Sequence, residues 1–345
     1  MDSVSQFVLG AAVGEVVLGK KLGNRALILG GIAGTIPDLD VLASPFMSEV
    51  DSLAFHRGIS HSITFAVFGA LFFGWVAYKY YDWRWKPDKH WEVPKMRSFQ
   101  WMFFWGIFTH ALLDAFTMYG TQLFAPFTDY RLAFSTISVA DPLYTVPFLV
   151  ALVVVCFYKR TSRKRQFWNW FGIIWSCSYL MFTVFNKMYV KHQFESQLAE
   201  SGIVYDRQIV GPTILNNILW STTVQTDSAY YSGQYSLFDQ SPIVFKKIEQ
   251  HHDLILEDND RTVDILKWFT DGYYNIVIRK DGYLQINDLR YGTFRGTGEG
   301  ENDFVFRFIL DKKDGHYEML EAKGGPEPGD EKEMMALLFD RIKGR

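Results

Sequence analysis

Cysteine is nearly absent from this sequence: the 345 residues include two, Cys156 and Cys177, and both lie inside apolar runs. The sequence therefore excludes a disulfide framework, and it also excludes a zinc site built from several thiolates. The first residues lack the basic segment and the small-residue cleavage site of a signal peptide. We expect the N-terminus to be retained and both cysteines to be ordinary packing residues.

Histidine is scarce as well, with eight in the whole chain. Two of them, His56 and His61, stand five positions apart, immediately before an uncharged apolar run that begins at Ile63. Polar groups of this kind are costly at the end of a membrane helix unless they have a function. This pair is the first indication of a metal site.

Acidic residues are sparse in the first half of the chain and abundant in the second. Residues 1–186 contain 16 Lys and Arg against 12 Asp and Glu, a net charge of +4, whereas residues 187–345 contain 19 against 26, a net charge of −7. The first half also holds nearly all the long uncharged runs, and the 48% hydrophobic content is high for a wholly soluble protein. We predict a membrane domain over residues 1–188 and an acidic, water-soluble domain over residues 189–345.

The first domain is predicted to be all-α, with about six short transmembrane helices rich in glycine and aromatic residues. Its apolar runs cover residues 4–19, 24–36, 62–78, 99–118, 142–158 and 167–186. The first two runs are each shorter than the roughly 20 residues that a free-standing span needs, and their glycines are typical of closely packed helix pairs. We therefore expect a tight helical hairpin at the start of the chain.

The positive-inside rule predicts how these helices are oriented. Fourteen Lys and Arg residues lie on one side if residues 20–25 and the loops 79–98 and 159–165 are cytoplasmic, while the short loops of the other side hold only Arg57 and Arg131. The chain is then expected to be a multi-pass membrane protein. Its N-terminus, its histidine pair and its second domain are predicted on the outer side.

Beyond residue 190 the apolar runs become short and alternate with turns. Residues 274–279 and 283–286 read as two strands joined by the turn Lys280-Asp281-Gly282, and residues 304–310 read as another strand. The second domain is therefore predicted to be α+β, with a mainly antiparallel sheet.

Six side chains that can bind a metal are predicted at the outer ends of three helices: Asp38, Asp40, His56, His61, His110 and Asp114. His110 and Asp114 are four residues apart, so they share one face of a helix. Imidazole and carboxylate ligands suit zinc, manganese or iron, and six of them are enough for one or two ions. Taken singly, each group is also typical of a structural hydrogen bond or of a helix cap.

Four further polar residues are weaker candidates. Arg57 could hold a phosphate or carboxylate oxygen of a substrate, and it could equally extend to lipid headgroups. Gln6 begins the first helix and could supply an amide oxygen or orient a ligand. Glu15 is predicted to make a buried hydrogen bond to a neighbouring helix, with a supporting role at the site as the alternative, and Asp141 is predicted to cap the helix that follows it.

The ordered motifs of the first 160 residues resemble the YdjM-like family of bacterial inner-membrane proteins, which are described as membrane-bound metal-dependent hydrolases. The motifs are Gly34-Thr35-Ile36-Pro37-Asp38-Leu39-Asp40, His56-Arg57-Gly58-Ile59-Ser60-His61-Ser62, His110-Ala111-Leu112-Leu113-Asp114 and Gly120-Thr121-Gln122-Leu123-Phe124-Ala125-Pro126. The resemblance implies that the same six carboxylates and imidazoles form the metal site. Many members carry a Thr-His pair near the N-terminus, where this chain has Ser5-Gln6, so the identity of the metal stays open.

These observations predict a metal-dependent hydrolase at the outer face of the membrane. Its cofactor would be one or two divalent ions, with Zn²⁺ expected first and Mn²⁺ or Fe²⁺ as alternatives, and a metal-activated water would attack the substrate. Asp114 or Asp40 would act as general base, and Arg57 would bind a phosphate group of a lipid-linked ester or phosphoester. We expect no nucleic-acid partner. The alternative is a non-catalytic scaffold stapled by metal, in which the acidic second domain binds an envelope partner.

Overall fold

The computed structural model describes residues 1–85, 92–255, 260–294 and 300–345. Part of the predicted basic loop 79–98, including Lys86 and Lys89, lies outside the described residues. Within the described part of the first 200 residues the regular elements are helices. They are α1 (Ser3–Leu22), α2 (Asn24–Thr35), α3 (Glu49–Phe55), α4 (Ile63–Trp85), α5 (Met96–Ala115), α6 (Pro142–Cys156) and α7 (Arg163–Glu200), with 3₁₀ turns at Pro37–Phe46 and Ile59–His61.

Helices α1 and α2 form the tight hairpin that their glycines predicted. A methyl group built on Gly30 would lie 2.3 Å from the carbonyl oxygen of Gly10, and one built on Gly14 would lie 2.1 Å from the carbonyl oxygen of Ala26. Both distances are far below van der Waals contact, so only glycine permits this separation of the two backbones. The turn between the helices is Gly23, whose φ of 61° favours glycine.

Proline determines where α2 stops. Pro37 has no backbone N–H to continue the α-helical hydrogen bonds, and the chain turns into a 3₁₀ helix that carries Asp38 and Asp40 in its first turn. The chain returns through α3 and through Arg57, which adopts a φ of 60°. It then enters the second 3₁₀ turn, which ends at His61, before α4 begins.

The prediction of about six transmembrane helices is wrong for the described part of the chain. There, α4 alone is long and apolar enough to cross a membrane: an 18-residue stretch within Ile63–Arg84 has a mean hydropathy of 1.4. A second span exists if α2 and the 3₁₀ helix after it, which are bent by 46°, count as one broken span. The reason is length and charge: α2 has 12 residues and α6 has 15, against the roughly 20 that a span requires, and α1 carries Glu15, Lys20 and Lys21.

The chain divides into two compact units. The first comprises residues 1–43 and 55–183, and the second comprises residues 44–54 and 184–345. The sequence-based boundary at residue 188 did not assign the short segment 44–54 to the second unit. In the first unit the buried apolar core includes Val8, Tyr144 and Phe148 on one side and Met102 and Phe103 on the other.

The second unit contains two four-stranded antiparallel sheets, where the sequence predicted one mainly antiparallel sheet. The first sheet has the order β1 (Arg207–Pro212), β2 (Leu219–Gln225), β3 (Ala229–Ser236) and β4 (Lys246–Glu249), and the second has the order β5 (Tyr274–Ile278), β6 (Leu284–Thr293), β7 (Phe304–Lys313) and β8 (His316–Gly324). Strands that follow one another in sequence pair with each other, because short turns such as Lys280-Asp281-Gly282 connect antiparallel neighbours. Helices α8 (Arg261–Phe269) and α9 (Glu331–Ile342) complete the unit.

Candidate metal centre

Four of the six predicted ligands meet at one point: Asp38, His61, His110 and Asp114. One ligand atom from each lies within 4.8 Å of the other three. The Nε2 atoms of the two histidines are 3.0 Å apart. Three of the side chains have no solvent exposure, and the side chain of Asp38 is 24% exposed. The cluster is therefore buried except at Asp38.

Backbone and hydroxyl groups determine which ring nitrogen of each histidine faces the cluster. His110 Nδ1 is 2.6 Å from the carbonyl oxygen of Gly34, which can only accept, so the proton of the neutral ring is on Nδ1. His61 Nδ1 is 3.0 Å from Ser60 Oγ, and that hydroxyl donates to Asp40 at 2.7 Å. Both Nε2 atoms then present lone pairs to the cluster. This is the arrangement that metal-binding histidines adopt.

Four of the six separations between these atoms are close to those around one divalent ion. Four ligands about 2.0–2.1 Å from one zinc ion at tetrahedral angles would lie about 3.3–3.4 Å from one another. His61 Nε2 lies 3.3 Å from Asp38 and 3.4 Å from Asp114. His110 Nε2 lies 3.4 Å and 3.6 Å from the same two carboxylates.

An unsatisfied oxygen supports the same assignment. Asp114 Oδ2 is buried and makes no hydrogen bond, although the guanidinium Nε of Arg57 lies 3.2 Å away and an unpaired carboxylate oxygen is costly inside a protein. It faces two imidazole lone pairs, which cannot donate to it. Two imidazole nitrogens and two carboxylate oxygens thus face one another without a proton between them, and this set of ligand atoms fits a divalent metal.

Asp40 and His56 lie beside this group and do not belong to it. Asp40 Oδ1 is 2.9 Å from His56 Nδ1, and Asp40 Oδ2 accepts hydrogen bonds from the backbone N–H of Arg57 at 3.1 Å and from Ser60. Both oxygens therefore serve to hold the turn between His56 and His61. Through Ser60, Asp40 also determines the orientation of the His61 ring.

Arg57 lies under the site and is not extended towards lipid headgroups. It is 6% exposed, and its Nε is 3.2 Å from Asp114 Oδ2. Nη1 donates to Thr117 Oγ1 at 3.2 Å, and Cζ lies 4.5 Å from the centre of the Tyr119 ring. The guanidinium therefore offsets the negative charge of the buried Asp114.

Gln6 makes a hydrogen bond to Asp114. Orienting a ligand was one of the two roles that the sequence predicted for Gln6. Its Nε2 donates to Asp114 Oδ1 at 2.9 Å and to the carbonyl oxygen of His110 at 3.3 Å. The amino group of Met1 contacts the same Asp114 oxygen. The amide oxygen of Gln6 is buried without a hydrogen-bond donor.

Glu15 and Asp141 are placed away from the four-residue group and make structural contacts. Glu15 forms a two-pronged ion pair with Arg165, with oxygen–nitrogen distances of 2.7 Å and 2.6 Å. Asp141 accepts hydrogen bonds from the backbone N–H groups of Leu143 and Tyr144 at the start of α6, and its other oxygen accepts from Tyr179 at 2.9 Å. The buried helix contact predicted for Glu15 and the cap predicted for Asp141 are both present.

The sequence reasoning missed three residues that support the site. Ser60, Thr117 and Tyr119 contact Asp40 or Arg57, and they stand within three residues of His61 or within five of Asp114. Their positions beside predicted ligands were the only feature of the sequence that could have identified them. Nothing in their spacing showed which hydroxyl or ring would be used.

Comparisons with known proteins agree with the membrane character of the first half. Residues 1–190 match the family described as YdjM inner membrane protein. A protein of Bacillus subtilis (strain 168), described as the uncharacterized protein YfhP, is 22% identical over 241 residues, which cover 68% of each chain. No solved structure matches the chain at a significant level.

Proposed function

We propose that the chain, which belongs to the YdjM inner membrane protein family, is a membrane-bound metal-dependent hydrolase. The observation that carries the proposal is the cluster of Asp38, His61, His110 and Asp114, whose ligand atoms lie within 4.8 Å of one another. A divalent ion held there would supply a polarised substrate oxygen and an activated water. The identity and the number of the ions remain predictions, with Zn²⁺ expected first.

The residues of the site have separable roles in this proposal. His61, His110 and Asp114 hold the ion, and Arg57 offsets the charge of Asp114 from 3.2 Å. Asp38 is the ligand that meets solvent, since its side chain is 24% exposed. We assign the general base to the outer oxygen of Asp38, because both oxygens of Asp40 already accept hydrogen bonds and Asp114 is fully buried.

The proposed substrate is a lipid-linked ester or phosphoester at the outer face of the inner membrane. Two observations support this substrate: the family is an inner membrane family, and His61 stands two residues before α4, the helix long enough to span. Lys79 and Arg84 lie towards the other end of α4. The positive-inside rule then favours an outer position for His61 and its neighbours.

A metal-stapled scaffold is the second candidate. Four protein ligands at tetrahedral separations are typical of closed, structural zinc sites, and three of the four side chains here are unexposed. In that case the metal would stabilise the helices, and the acidic second unit would bind an envelope partner.

Metal content and hydrolysis measured on the same preparations separate the two candidates. The purified full chain would be tested before and after chelation, with bis(p-nitrophenyl) phosphate, p-nitrophenyl acetate and phosphatidylglycerol vesicles as substrates. His110→Ala should lower metal affinity at least about tenfold and abolish hydrolysis, whereas His192→Ala, at an exposed position of α7, should retain both. Full metal content without hydrolysis of any probe would favour the scaffold, and full metal content in His110→Ala would overturn the site itself.

A further inference from the structure

The segment from Tyr119 to Phe134 contains an arginine and four exposed aromatic side chains. Phe124, Phe127, Tyr130 and Phe134 are 49%, 87%, 61% and 42% exposed, respectively. The charged residues of the segment are Asp129 and Arg131. We propose that this segment binds the phosphate of a phospholipid headgroup through Arg131 and presents it to the candidate metal centre, with the neighbouring aromatic rings in the lipid.

The position of Arg131 is determined by the backbone. Thr121 and Leu132 form an antiparallel bridge, in which the two N–H···O distances are 3.1 Å and 2.9 Å. Arg131 Nη2 donates to the carbonyl oxygen of Tyr119 at 2.5 Å, and its Cζ lies 4.3 Å from the centre of the Tyr119 ring. The guanidinium is therefore held against a rigid platform, which lowers the entropy lost when it binds a ligand.

Tyr119 connects Arg131 to the metal centre. Arg57 also lies over the Tyr119 ring, at 4.5 Å, and its Nε is 3.2 Å from Asp114. The ring of His56, which is partly exposed, lies 5.6 Å from the Tyr119 ring. Two guanidinium groups thus lie over one tyrosine beside the buried ligands, and guanidinium is the side-chain group best matched to the oxygens of a phosphate.

The segment is also joined to the motif that carries the histidines. The backbone N–H of Gln122 donates to the carbonyl oxygen of Arg57 at 3.1 Å, and that of Ile63 donates to the carbonyl oxygen of Leu123 at 3.0 Å. A lipid bound at Arg131 is therefore held by the same local structure that holds His61. This link joins the proposed headgroup site to the metal centre of the proposed hydrolase.

The exposed rings favour a lipid over a free phosphate. Phe127 and Tyr130 precede Arg131 within four residues, and aromatic residues are enriched where membrane proteins meet the headgroup region. Arginine in that region buries its apolar stem and keeps its charge at the level of the phosphates. A soluble phosphate would gain nothing from these rings, whereas a phospholipid contacts both features at once.

The proposal rests on the proposed function for the fate of the lipid, but binding is measurable without hydrolysis. The full chain in detergent would be incubated with phosphatidate or with diacylglycerol of the same acyl chains, which differ only in the phosphate. Native mass spectrometry counts the retained lipids and distinguishes intact lipid from product by mass. We expect phosphatidate to bind at least about tenfold more tightly than diacylglycerol.

Four variants make the test specific. Arg131→Gln should remove the preference for phosphatidate, and Arg131→Lys should retain part of it. Phe127→Ser should weaken the binding of both lipids. Arg163→Gln, which removes the same charge at an exposed position of α7, should leave the preference unchanged.

The opposite results would overturn the proposal. The first is equal retention of the two lipids by the wild-type chain. The second is a loss of the phosphatidate preference in Arg163→Gln as large as that in Arg131→Gln. The third is displacement of phosphatidate by an equimolar concentration of inorganic phosphate, which would identify a site for the free anion. If phosphatidate binding depends on Arg131 but no substrate is hydrolysed, the proposed function fails and the headgroup site stands. If a substrate is hydrolysed but phosphatidate and diacylglycerol bind equally, the proposed function stands and the headgroup site fails.

Discussion

At the residue scale, two aspartates two positions apart have different roles. Asp38 points one oxygen into the four-residue group, 3.3 Å from His61 Nε2. Asp40 uses both of its oxygens for donors of the returning turn. A spacing of two residues after a proline permits either outcome, so the division of roles depends on which donors the rest of the chain brings to each carboxylate.

Ser60 tests the supporting role of Asp40. Ser60→Ala removes the hydroxyl that accepts from His61 Nδ1 and donates to Asp40, so the His61 ring loses its fixed orientation. We expect metal affinity to fall about 10- to 100-fold, as for other residues that orient metal ligands, measured by competition with a chromophoric chelator.

Ser62 provides the matched control. Its Oγ accepts from the backbone N–H of Phe65 at the start of α4, so Ser62→Ala should cost about 1 kcal/mol of stability and leave metal affinity unchanged. Wild-type metal affinity in Ser60→Ala, or an equal loss in both variants, would show that the Asp40–Ser60–His61 chain does not position the ligand.

At the element scale, the site depends on how closely α1 and α2 approach each other. Gly34 of α2 contributes the carbonyl oxygen that orients His110, and a methyl group on Gly34 would lie 2.6 Å from the carbonyl oxygen of Gln6. Gln6 in turn contacts Asp114. The glycine contacts of the hairpin therefore bring two supporting groups to the helix that carries the ligands.

Gly30→Ala should separate this hairpin. The new methyl group would lie 2.3 Å from the Gly10 carbonyl oxygen, which is backbone and cannot move aside alone. We expect a net loss of about 1–3 kcal/mol of stability and weaker metal binding, measured by thermal unfolding and by metal titration.

Gly69→Ala in α4 is the control for helix propensity. Its methyl group would meet the flexible end of Ile107 at 3.2 Å, and both variants gain up to about 1 kcal/mol of helix propensity. The difference between them therefore reports the contact between α1 and α2. Equal stability of the two variants would exclude tight helix contact as the reason for Gly30.

The buried pair of Glu15 and Arg165 is the other feature at this scale. Arg165 is 1% exposed, and its guanidinium donates to Glu15, to Asn24 and to the carbonyl oxygens of Val155 and Tyr158. A fully satisfied charge of this kind joins α1 to the start of α7. It explains how a carboxylate is tolerated deep in the apolar α1.

At the scale of the whole molecule, the orientation in the membrane is the open prediction. Helix α4 alone is enough to state it: Lys79 and Arg84 lie towards one end, and His61 lies just before the other. The positive-inside rule places the basic end in the cytoplasm. The candidate metal centre is then expected on the outer side.

Cysteine labelling in intact cells tests this orientation. Cys156 and Cys177 are exposed and would first be replaced by serine. Thr128→Cys, in the segment that is hydrogen-bonded to the start of α4, should react with a membrane-impermeant maleimide, while Lys79→Cys, at the basic end of α4, should react only after permeabilisation; both positions are exposed. Labelling of Lys79→Cys alone in intact cells would reverse the predicted orientation.

Much of the candidate site was readable in the sequence because its signals are local. The i, i+4 spacing of His110 and Asp114, the proline before Asp38 and the pair of histidines before an apolar run each depend on a few neighbouring residues. The glycines of the first two helices likewise predicted close packing. The number of spans was overestimated, because apolar runs also form where helices pack on one another, as the buried faces of α1 and α6 do.

The sequence by itself determined the set of six candidate ligands and the class of metal that they suit, because residue type and helical spacing decide both. Only the tertiary structure decided that Asp38, His61, His110 and Asp114 share one point while Asp40 and His56 support it. Those four residues are up to 76 positions apart, between Asp38 and Asp114, so their meeting depends on the path of the whole chain. The same long-range path buries Arg57 beside the ligands, where its charge offsets that of Asp114. The sequence alone had equally allowed Arg57 to lie at the lipid surface.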